Sequence, residues 1–164
     1  PRRTRLFPSG AKGSRLKIEG QVLAVDGAVV VGATIHVWLA DPTGAYDNQD
    51  ANGDPLSIPA FKQLFRGRLT TGRTGRYAFT CLRPGNYFDG GWKLWRPAHI
   101  HVKLSAEGYQ PLTTQLYFHG DEFLDSDVAR AVKDELILPL EPAGNNGSSH
   151  LTLRYDFQLA PACA

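Results

Sequence analysis

Arg96-Pro97-Ala98-His99-Ile100-His101-Val102 is the stretch around which the fold of this chain is organised. Alternate side chains of a β-strand share a face, so His99 and His101 are predicted to point one way while Ile100 and Val102 point the other. The Cα atoms of the two histidines would then lie roughly 6.6 Å apart, which allows both imidazoles to converge on one ion. An H-x-H pair alone is more often two polar residues on a solvated strand face, so other motifs must decide its meaning.

Alternating apolar and polar residues predict further strands on both sides of this stretch. The predicted strands cover residues 15–22, 33–40, 99–105, 112–119 and 151–159, and residues 66–73 and 76–82 are expected to pair as a hairpin. Asp125 is a typical cap for one short helix over residues 126–135. Seven or more short strands with turn-rich links predict an all-β fold, a single-domain β-sandwich. Residues 41–59 and 83–95 are predicted to be long loops that carry function.

Length and composition describe an ordinary globular chain. A length of 164 residues predicts one domain, with residues 14–164 forming the β-sandwich domain and residues 1–13 an extended N-terminal arm. No apolar run approaches the roughly 20 residues that a membrane helix needs. The chain begins with Pro and contains no Met, so processing from a longer precursor is expected. A removed secretory leader is compatible with this, and the sequence leaves the location and the oligomeric state open.

The net charge of +2 is unevenly distributed. Six of the 18 basic residues precede the first acidic residue, Glu19, which leaves 12 basic against 16 acidic residues in the body. We interpret the basic arm as a solvated tail and expect no nucleic-acid partner. Cys81 and Cys163 form either one bridge or two separate thiols, and the sequence does not decide between them.

Three motifs together resemble the intradiol ring-cleavage dioxygenases. The first is the histidine stretch, followed by Gln115; the second is Pro84-Gly85-Asn86-Tyr87. The third is W-x-A-D-x-x-G-x-Y, which the residues from Trp38 to Tyr46 match. The resemblance runs from about residue 16 to residue 159. It implies one non-haem iron(III) per chain, held by Tyr46, Tyr87, His99 and His101.

The resemblance also implies an activity and roles for individual residues. Members of the family insert both atoms of O2 into a catechol and cleave the ring between its two hydroxyl-bearing carbons, which yields a cis,cis-muconate-type product. Tyr87 would leave the metal when substrate binds, Arg96 would stabilise negative charge on the ring, and Gln115 would orient Arg96. Arg68, Trp95 and Phe88 would contact substrate. Which catechol is cleaved stays open: catechol, protocatechuate, hydroxyquinol or a substituted form.

This ligand set suits the metal that the resemblance implies. Iron(III) is a hard, highly charged ion, and anionic oxygen donors suit it better than neutral ones. A free tyrosine has a pKa of about 10, but coordination to a trivalent cation stabilises the phenolate. Two tyrosinates and a hydroxide would balance the charge of the ion, and two neutral imidazoles would complete its shell.

Two other interpretations compete with this one. A cupin-like site of two histidines and one carboxylate would use Glu107 as its acid. A non-catalytic module similar to the carboxypeptidase-regulatory β-sandwiches would make Tyr87 a core residue. Colour separates the first alternative from tyrosinate-bound iron(III), and iron content separates the second.

Overall fold

Thirteen short β-strands supply most of the regular structure in this computed structural model, which describes residues 3–50, 52–142 and 150–162. The strands are β1 (Arg5–Leu6), β2 (Arg15–Ala24), β3 (Thr34–Leu39), β4 (Arg66–Thr70), β5 (Arg76–Leu82), β6 (Tyr87–Asp89), β7 (Leu94–Arg96), β8 (His99–Ser105), β9 (Leu112–Phe118), β10 (Ile137–Leu138), β11 (Glu141–Pro142), β12 (His150–Arg154) and β13 (Phe157–Leu159). Two 3₁₀ helices, Ala60–Lys62 and Asp134–Leu136, are the helices found in the described part of the chain. Among these residues, no helix has the length and apolar character needed to cross a membrane.

The strands form two sheets and one small ribbon. The first sheet has the order β1-β5-β2-β12-β11, with β13 also pairing β2, and the second has the order β10-β9-β8-β3-β4. Strands β6 and β7 form a separate antiparallel ribbon. The inward residues of both sheets meet in one core, in which Ile18, Ile35 and Ile100 are fully buried. Burial of this alternating apolar set is the dominant favourable term in folding, and the predicted all-β sandwich is confirmed.

The predicted hairpin of residues 66–82 is wrong, because β4 and β5 lie in different sheets. Strand β4 pairs with β3, and β5 pairs with β2. Thr71 directs the chain away from a hairpin, since its hydroxyl accepts a hydrogen bond from Ala33 N at 2.9 Å and donates one to Val30 O at 3.0 Å. These bonds tie the end of β4 to the segment before β3. Alternation within each strand is local, so it did not reveal which partner each strand takes.

Two other predicted segments are divided differently in the structure. Residues 151–159 form two strands, β12 and β13, which both pair with β2 in a parallel direction. Residues 83–95 are not entirely loop, because they contain β6 and most of the ribbon's second strand, β7.

The helix predicted over residues 126–135 is also wrong. The segment runs through turns, Arg130 has a positive φ of 49°, and only Asp134–Leu136 is helical, as 3₁₀. The carboxylate of Asp127 is buried and accepts hydrogen bonds from a distant arginine and from Ala129 N. Such side-chain bonds to nearby backbone compete with a helix for the same N–H groups.

The N-terminal arm joins the sandwich. Strand β1 pairs with β5 in a parallel direction, and both Leu6 and Phe7 are buried. The prediction of a solvated tail is therefore wrong for these residues. Arg2 of the basic arm lies outside the described residues. Cys81 is buried, and Cys163 also lies outside the described residues.

Candidate active site

The two histidines of β8 converge with Tyr46. Ile100 and Val102 are fully buried in the core, so His99 and His101 extend from the opposite face of the strand, as their spacing predicts. His99 Nε2 and His101 Nε2 lie 3.0 Å apart. Tyr46 Oη lies 3.1 Å from the first nitrogen and 3.0 Å from the second. Three donor atoms from two elements thus meet at one point.

This arrangement fits a metal ion. Bonds of about 2.1 Å at right angles place neighbouring donor atoms about 3.0 Å apart, which matches all three separations. His99 Nδ1 donates to Pro97 O at 2.7 Å, so the neutral ring presents the lone pair of Nε2 toward the other donors. Trp38 stacks on His101 with ring centroids 4.7 Å apart and an interplanar angle of 4°. One phenol oxygen and two imidazole nitrogens suit iron(III).

The loop after β3 holds Tyr46 in place. The Asp41 carboxylate accepts hydrogen bonds from Thr43 N and Thr43 Oγ1 at 2.8 and 2.6 Å and from Ala45 N at 3.1 Å, which folds the loop tightly. Gly44 has a φ of +88°, and a Cβ there would lie 2.0 Å from Asn86 O. Only glycine permits both this backbone conformation and this close approach. The Asp and Gly of the W-x-A-D-x-x-G-x-Y motif therefore shape the loop that carries its tyrosine.

The loop carrying Tyr87 is fixed against the start of the histidine strand. Asn86 Nδ2 donates to both carboxylate oxygens of Asp121, at 3.1 and 2.9 Å. The same carboxylate accepts a hydrogen bond from Ala98 N at 3.0 Å. Asp121 thereby links the residue before Tyr87 to the residue before His99.

Tyr87 lies next to Tyr46, but its hydroxyl faces a different neighbour. Its ring meets the ring of Tyr46 edge-on at 5.2 Å between centroids. Its hydroxyl accepts a hydrogen bond from Gln49 and lies beside Gly53. The residue is half-buried and lies outside the core, unlike a packing tyrosine. The structure thus brings together three of the four predicted ligands and places the fourth at their edge.

Arg96 is held beside this site by a buried hydrogen-bond network. Its Nε and Nη2 donate to the two carboxylate oxygens of Asp127 at 2.8 and 3.2 Å, and Nη2 also donates to Gln115 Oε1 at 3.0 Å. Tyr117 Oη donates to the same Gln115 oxygen at 2.8 Å. Arg96 is only 8% exposed and Asp127 7%, so the pair is shielded from water. The predicted contact between Gln115 and Arg96 is present.

Burial and the Arg96 charge set the electrostatics of the donor atoms. Burial is the main cause that lowers the pKa of His99 to about 4 and that of His101 to about 3, and the Arg96 cation contributes to both shifts. Both imidazoles are therefore neutral at pH 7 and available as donors. Burial raises the pKa of the Tyr46 phenol, an effect that Arg96 partly offsets. A phenolate at Tyr46 therefore needs a bound cation to stabilise it.

Comparisons with known proteins find relatives that cover most of the chain. A family model described as Dioxygenase matches residues 2–161. Chlorocatechol 1,2-dioxygenase of Rhodococcus opacus is 35% identical over 162 residues, covering 90% of this chain and 60% of the relative. The crystal structure of 3-chlorocatechol 1,2-dioxygenase from Rhodococcus opacus 1CP superposes with a TM-score of 0.84 at 33% identity, covering 96% of this chain and 65% of that one. The chain belongs to the intradiol ring-cleavage dioxygenase family.

One of the solved structures matches this chain over nearly the whole length of both proteins. The dioxygenase domain of a dioxygenase–carbohydrate-binding protein fusion from Streptomyces sp. SirexAA-E has a TM-score of 0.78 and 31% identity, with 99% of this chain and 90% of that one covered. By contrast, the chain spans only 60% of the length of the curated Rhodococcus opacus relative. What the chain shares with this longer relative is therefore the β-sandwich.

The predicted substrate contacts fall in two places. Phe88 and Trp95 line a cleft of about 470 Å³ that also contains Tyr46 and Tyr87. Arg68 does not line this cleft. Its side chain is exposed, and its cross-strand partner is His36. Its contact with substrate stays a prediction.

Arg66 occupies the row of the metal-site residues instead of Arg68. Arg66 pairs with Trp38, which pairs with His101, which pairs with Gln115. The charge of Arg66 contributes to the low pKa of His101. Arg66 lies two residues before Arg68 on the same face of β4. It therefore lies in the row of His101, whereas Arg68 lies in the row of His36.

The cupin-like alternative lacks its carboxylate. Glu107 is exposed in the turn beyond the far end of β8, six residues from His101. Across residues 3–50, 52–142 and 150–162, no three His, Cys, Asp or Glu side chains group closely enough to hold a metal. The donor set found here includes tyrosine, as the family resemblance implies.

Sequence reasoning missed the residues that support the site. Asp127 was assigned to a helix, although it lies 31 residues from its partner Arg96. Asp121 and Tyr117 were given no role, and the stacking of Trp38 on His101 was not anticipated. One available signal was Trp38 itself, because it begins the tyrosine motif on the strand adjacent to β8.

Proposed function

We propose that this chain is a non-haem iron(III) intradiol dioxygenase. It would insert both atoms of O2 into a catecholic substrate and cleave the ring between the hydroxyl-bearing carbons to a cis,cis-muconate-type product. The observation that supports this most directly is the meeting of Tyr46, His99 and His101 at separations of 3.0–3.1 Å, beside a buried arginine. Residues 14–164 would form the catalytic domain, with small-molecule catechol and O2 as its partners and no nucleic acid.

Tyr46, Tyr87, His99 and His101 are the residues that would hold the metal. Iron(III) bound there would chelate both oxygens of a catechol and make the ring reactive toward O2. Tyr46 carries the phenolate charge that this ion favours, and the two neutral imidazoles supply nitrogen donors. The bond from His99 Nδ1 to Pro97 O keeps that ring in one tautomer and orientation.

Tyr87 is suited to move a proton. Burial and the Asp89 carboxylate raise the pKa of its phenol, while Arg96 and the Gln49 hydrogen bond oppose the shift. As a phenolate, Tyr87 Oη would accept the proton of a catechol hydroxyl and hold it as a neutral phenol beside Gln49. Its half-buried position at the mouth of the cleft allows this movement.

Arg96 supplies a fixed positive charge where negative charge grows on the ring. Asp127 and Gln115 hold the guanidinium, so it need not reorganise during the reaction. A preorganised cation in a water-poor site stabilises such charge more strongly than solvent does. Trp38 stacks on His101, and His99 is only 3% exposed, so water has little access to these two imidazoles.

The test combines spectrum and product. Iron-loaded protein is expected to be red to burgundy with one iron per chain, and to convert catechol and O2 to a muconate-type diacid. A protein that stays colourless after iron loading would overturn the tyrosinate site. A yellow semialdehyde product would mean extradiol cleavage and would overturn the proposed reaction even with iron bound.

The names of the relatives indicate the substrate class. The curated relatives act on chlorocatechol, hydroxyquinol and catechol, as their names state. We infer that this chain accepts a catechol, with the ring substituent chosen by the cleft rather than by the metal donors.

A further inference from the structure

We infer that the cleft favours catechols that carry a second, uncharged aromatic ring. This inference rests on the proposed function and concerns the part of the substrate away from the reacting carbons. It comes from a stripe of aromatic side chains, Phe88, Trp95 and Phe123, that begins in the cleft and continues outside it.

The three rings of this aromatic stripe contact one another in series. Phe88 and Trp95 are cross-strand partners in the ribbon, with ring centroids 5.3 Å apart. Trp95 and Phe123 are nearly parallel, with an interplanar angle of 21° and centroids 6.2 Å apart. Phe88 is 47% exposed and Trp95 46%, although both are large apolar side chains. Exposed apolar side chains that form one contiguous surface often mark a binding site, whereas singly scattered ones do not.

The aromatic stripe is continuous with the catalytic cleft. Phe88 and Trp95 line it together with Tyr46 and Tyr87, and its volume of about 470 Å³ exceeds what a single substituted ring requires. A ring held against Tyr46, the one donor residue that lines the cleft, would therefore have free cleft beside it. A substituent leaving the cleft would lie along Trp95 toward Phe123.

The chemistry of the cleft indicates an uncharged aromatic substituent. Among its described lining residues, Asp50 carries the sole charge, and a carboxylate disfavours an acidic ring substituent. Flat indole and phenyl faces stack favourably on another ring in offset or edge-to-face arrangements. A catechol with one aryl substituent satisfies both conditions, whereas a carboxylated catechol satisfies neither.

The experiment compares 3,4-dihydroxybiphenyl with catechol. Calorimetry under oxygen-free conditions on the iron-loaded protein is expected to show about tenfold tighter binding of 3,4-dihydroxybiphenyl, which one aromatic contact supplies. Phe123→Ala should remove most of that preference. Phe61→Ala is the matched control, because Phe61 is 68% exposed yet lies outside both the stripe and the cleft lining, and it should keep the preference.

The same ratio is then measured in turnover. In air, kcat/KM for 3,4-dihydroxybiphenyl relative to catechol should fall in Phe123→Ala and stay unchanged in Phe61→Ala. Equal affinities for the two ligands in the wild type, or an unchanged ratio in Phe123→Ala, would overturn the inference. Self-association that Phe123→Ala abolishes would also overturn it, because the stripe would then bind a second copy of the chain. Tight binding of both ligands without ring cleavage would instead contradict the proposed function alone.

Discussion

Arg96 owes its position to two residues that supply no donor atom to the site, Asp127 and Gln115. Asp127 holds it by two hydrogen bonds and Gln115 by a third, so the guanidinium has one orientation. Its charge acts on the donors themselves, because it opposes the raised pKa of Tyr46. The residue is thus a fixed cation for the reaction and not a metal ligand.

Arg96→Ala is expected to keep the iron, the colour and catechol chelation, but to slow the step with O2 by about two to three powers of ten. Stopped-flow mixing of the preformed catechol complex with O2 measures this as decay of its visible band. Gln115→Ala should slow the same step less, since Gln115 only orients Arg96. Because truncation leaves Asp127 buried without its cation, Arg96→Lys is made alongside, and exposed Arg73→Ala serves as the control. Wild-type decay in both Arg96 variants would show that Arg96 is only structural.

The two tyrosines are expected to respond differently to removal of their hydroxyls. Tyr46 Oη lies 3.0–3.1 Å from both imidazoles, so Tyr46→Phe should lose most bound iron. Tyr87 lies at the edge of the site, so Tyr87→Phe should retain iron and some colour but lose much of its turnover. Metal analysis and visible spectra before and after adding catechol distinguish them. Identical spectra for the two variants would contradict these separate roles.

At the scale of elements, the active site depends on how two loops pack against each other. The loop after β3 presents Tyr46, and the loop before β6 leads directly into Tyr87, the first residue of that strand. Gly85 N donates to Asp41 O at 2.9 Å, and Gly44 approaches Asn86 O too closely for any side chain. The tyrosines reach the histidine strand because these two loops are in backbone contact.

Gly44→Ala is expected to separate the loops and to reduce both stability and iron content. Gly32→Ala is the matched control: Gly32 has a similar positive φ of +74°, but a Cβ there meets nothing within 4 Å. Strain from the positive φ is common to both and costs about 1 kcal/mol, so any additional loss in Gly44→Ala reports the contact with Asn86. Urea unfolding and metal analysis provide the two readouts. Equal losses in the two variants would show that the loop contact contributes nothing.

At the scale of the whole molecule, placing neutral histidines in a buried site makes stability depend on pH. Burial lowers the folded-state pKa of His99 to about 4 and of His101 to about 3, whereas an exposed histidine titrates near 6.5. Between these values the unfolded chain binds more protons than the folded one. Acidification through this window therefore favours unfolding.

The iron-free protein is expected to lose unfolding free energy as the pH falls from about 6.5 toward 4, by up to about 1.4 kcal/mol per pH unit for each histidine. Urea titrations at several pH values within this window measure the slope. A His99→Gln, His101→Gln double variant should have a shallower slope. It retains the contribution of His36, whose pKa burial also lowers, and near pH 4 those of Glu19 and Asp127, whose pKa values are lowered by hydrogen bonds from Lys17 and Arg96. A wild-type slope no steeper than that of the double variant would contradict the prediction.

The sequence by itself determined the longer strands, though not β1, β6, β7, β10 or β11, and the residues that converge at the site. Alternation placed Ile100 in the core and His99 opposite it, and Gln115 opposite buried Leu116, because strand geometry has a period of two residues. The three motifs identified the family, and two of them selected Tyr46 and Tyr87 as candidate ligands. Sequence reasoning could do this because each motif is a short, continuous stretch of the chain.

Only the tertiary structure decided the contacts between segments. The sandwich separates β4 from β5, pairs Arg96 with Asp127, and places Arg66 rather than Arg68 in the row of His101. Each of these depends on which strands become neighbours and on which buried charges must find partners. Those choices are made by packing and desolvation over the whole core, which no short stretch of sequence encodes.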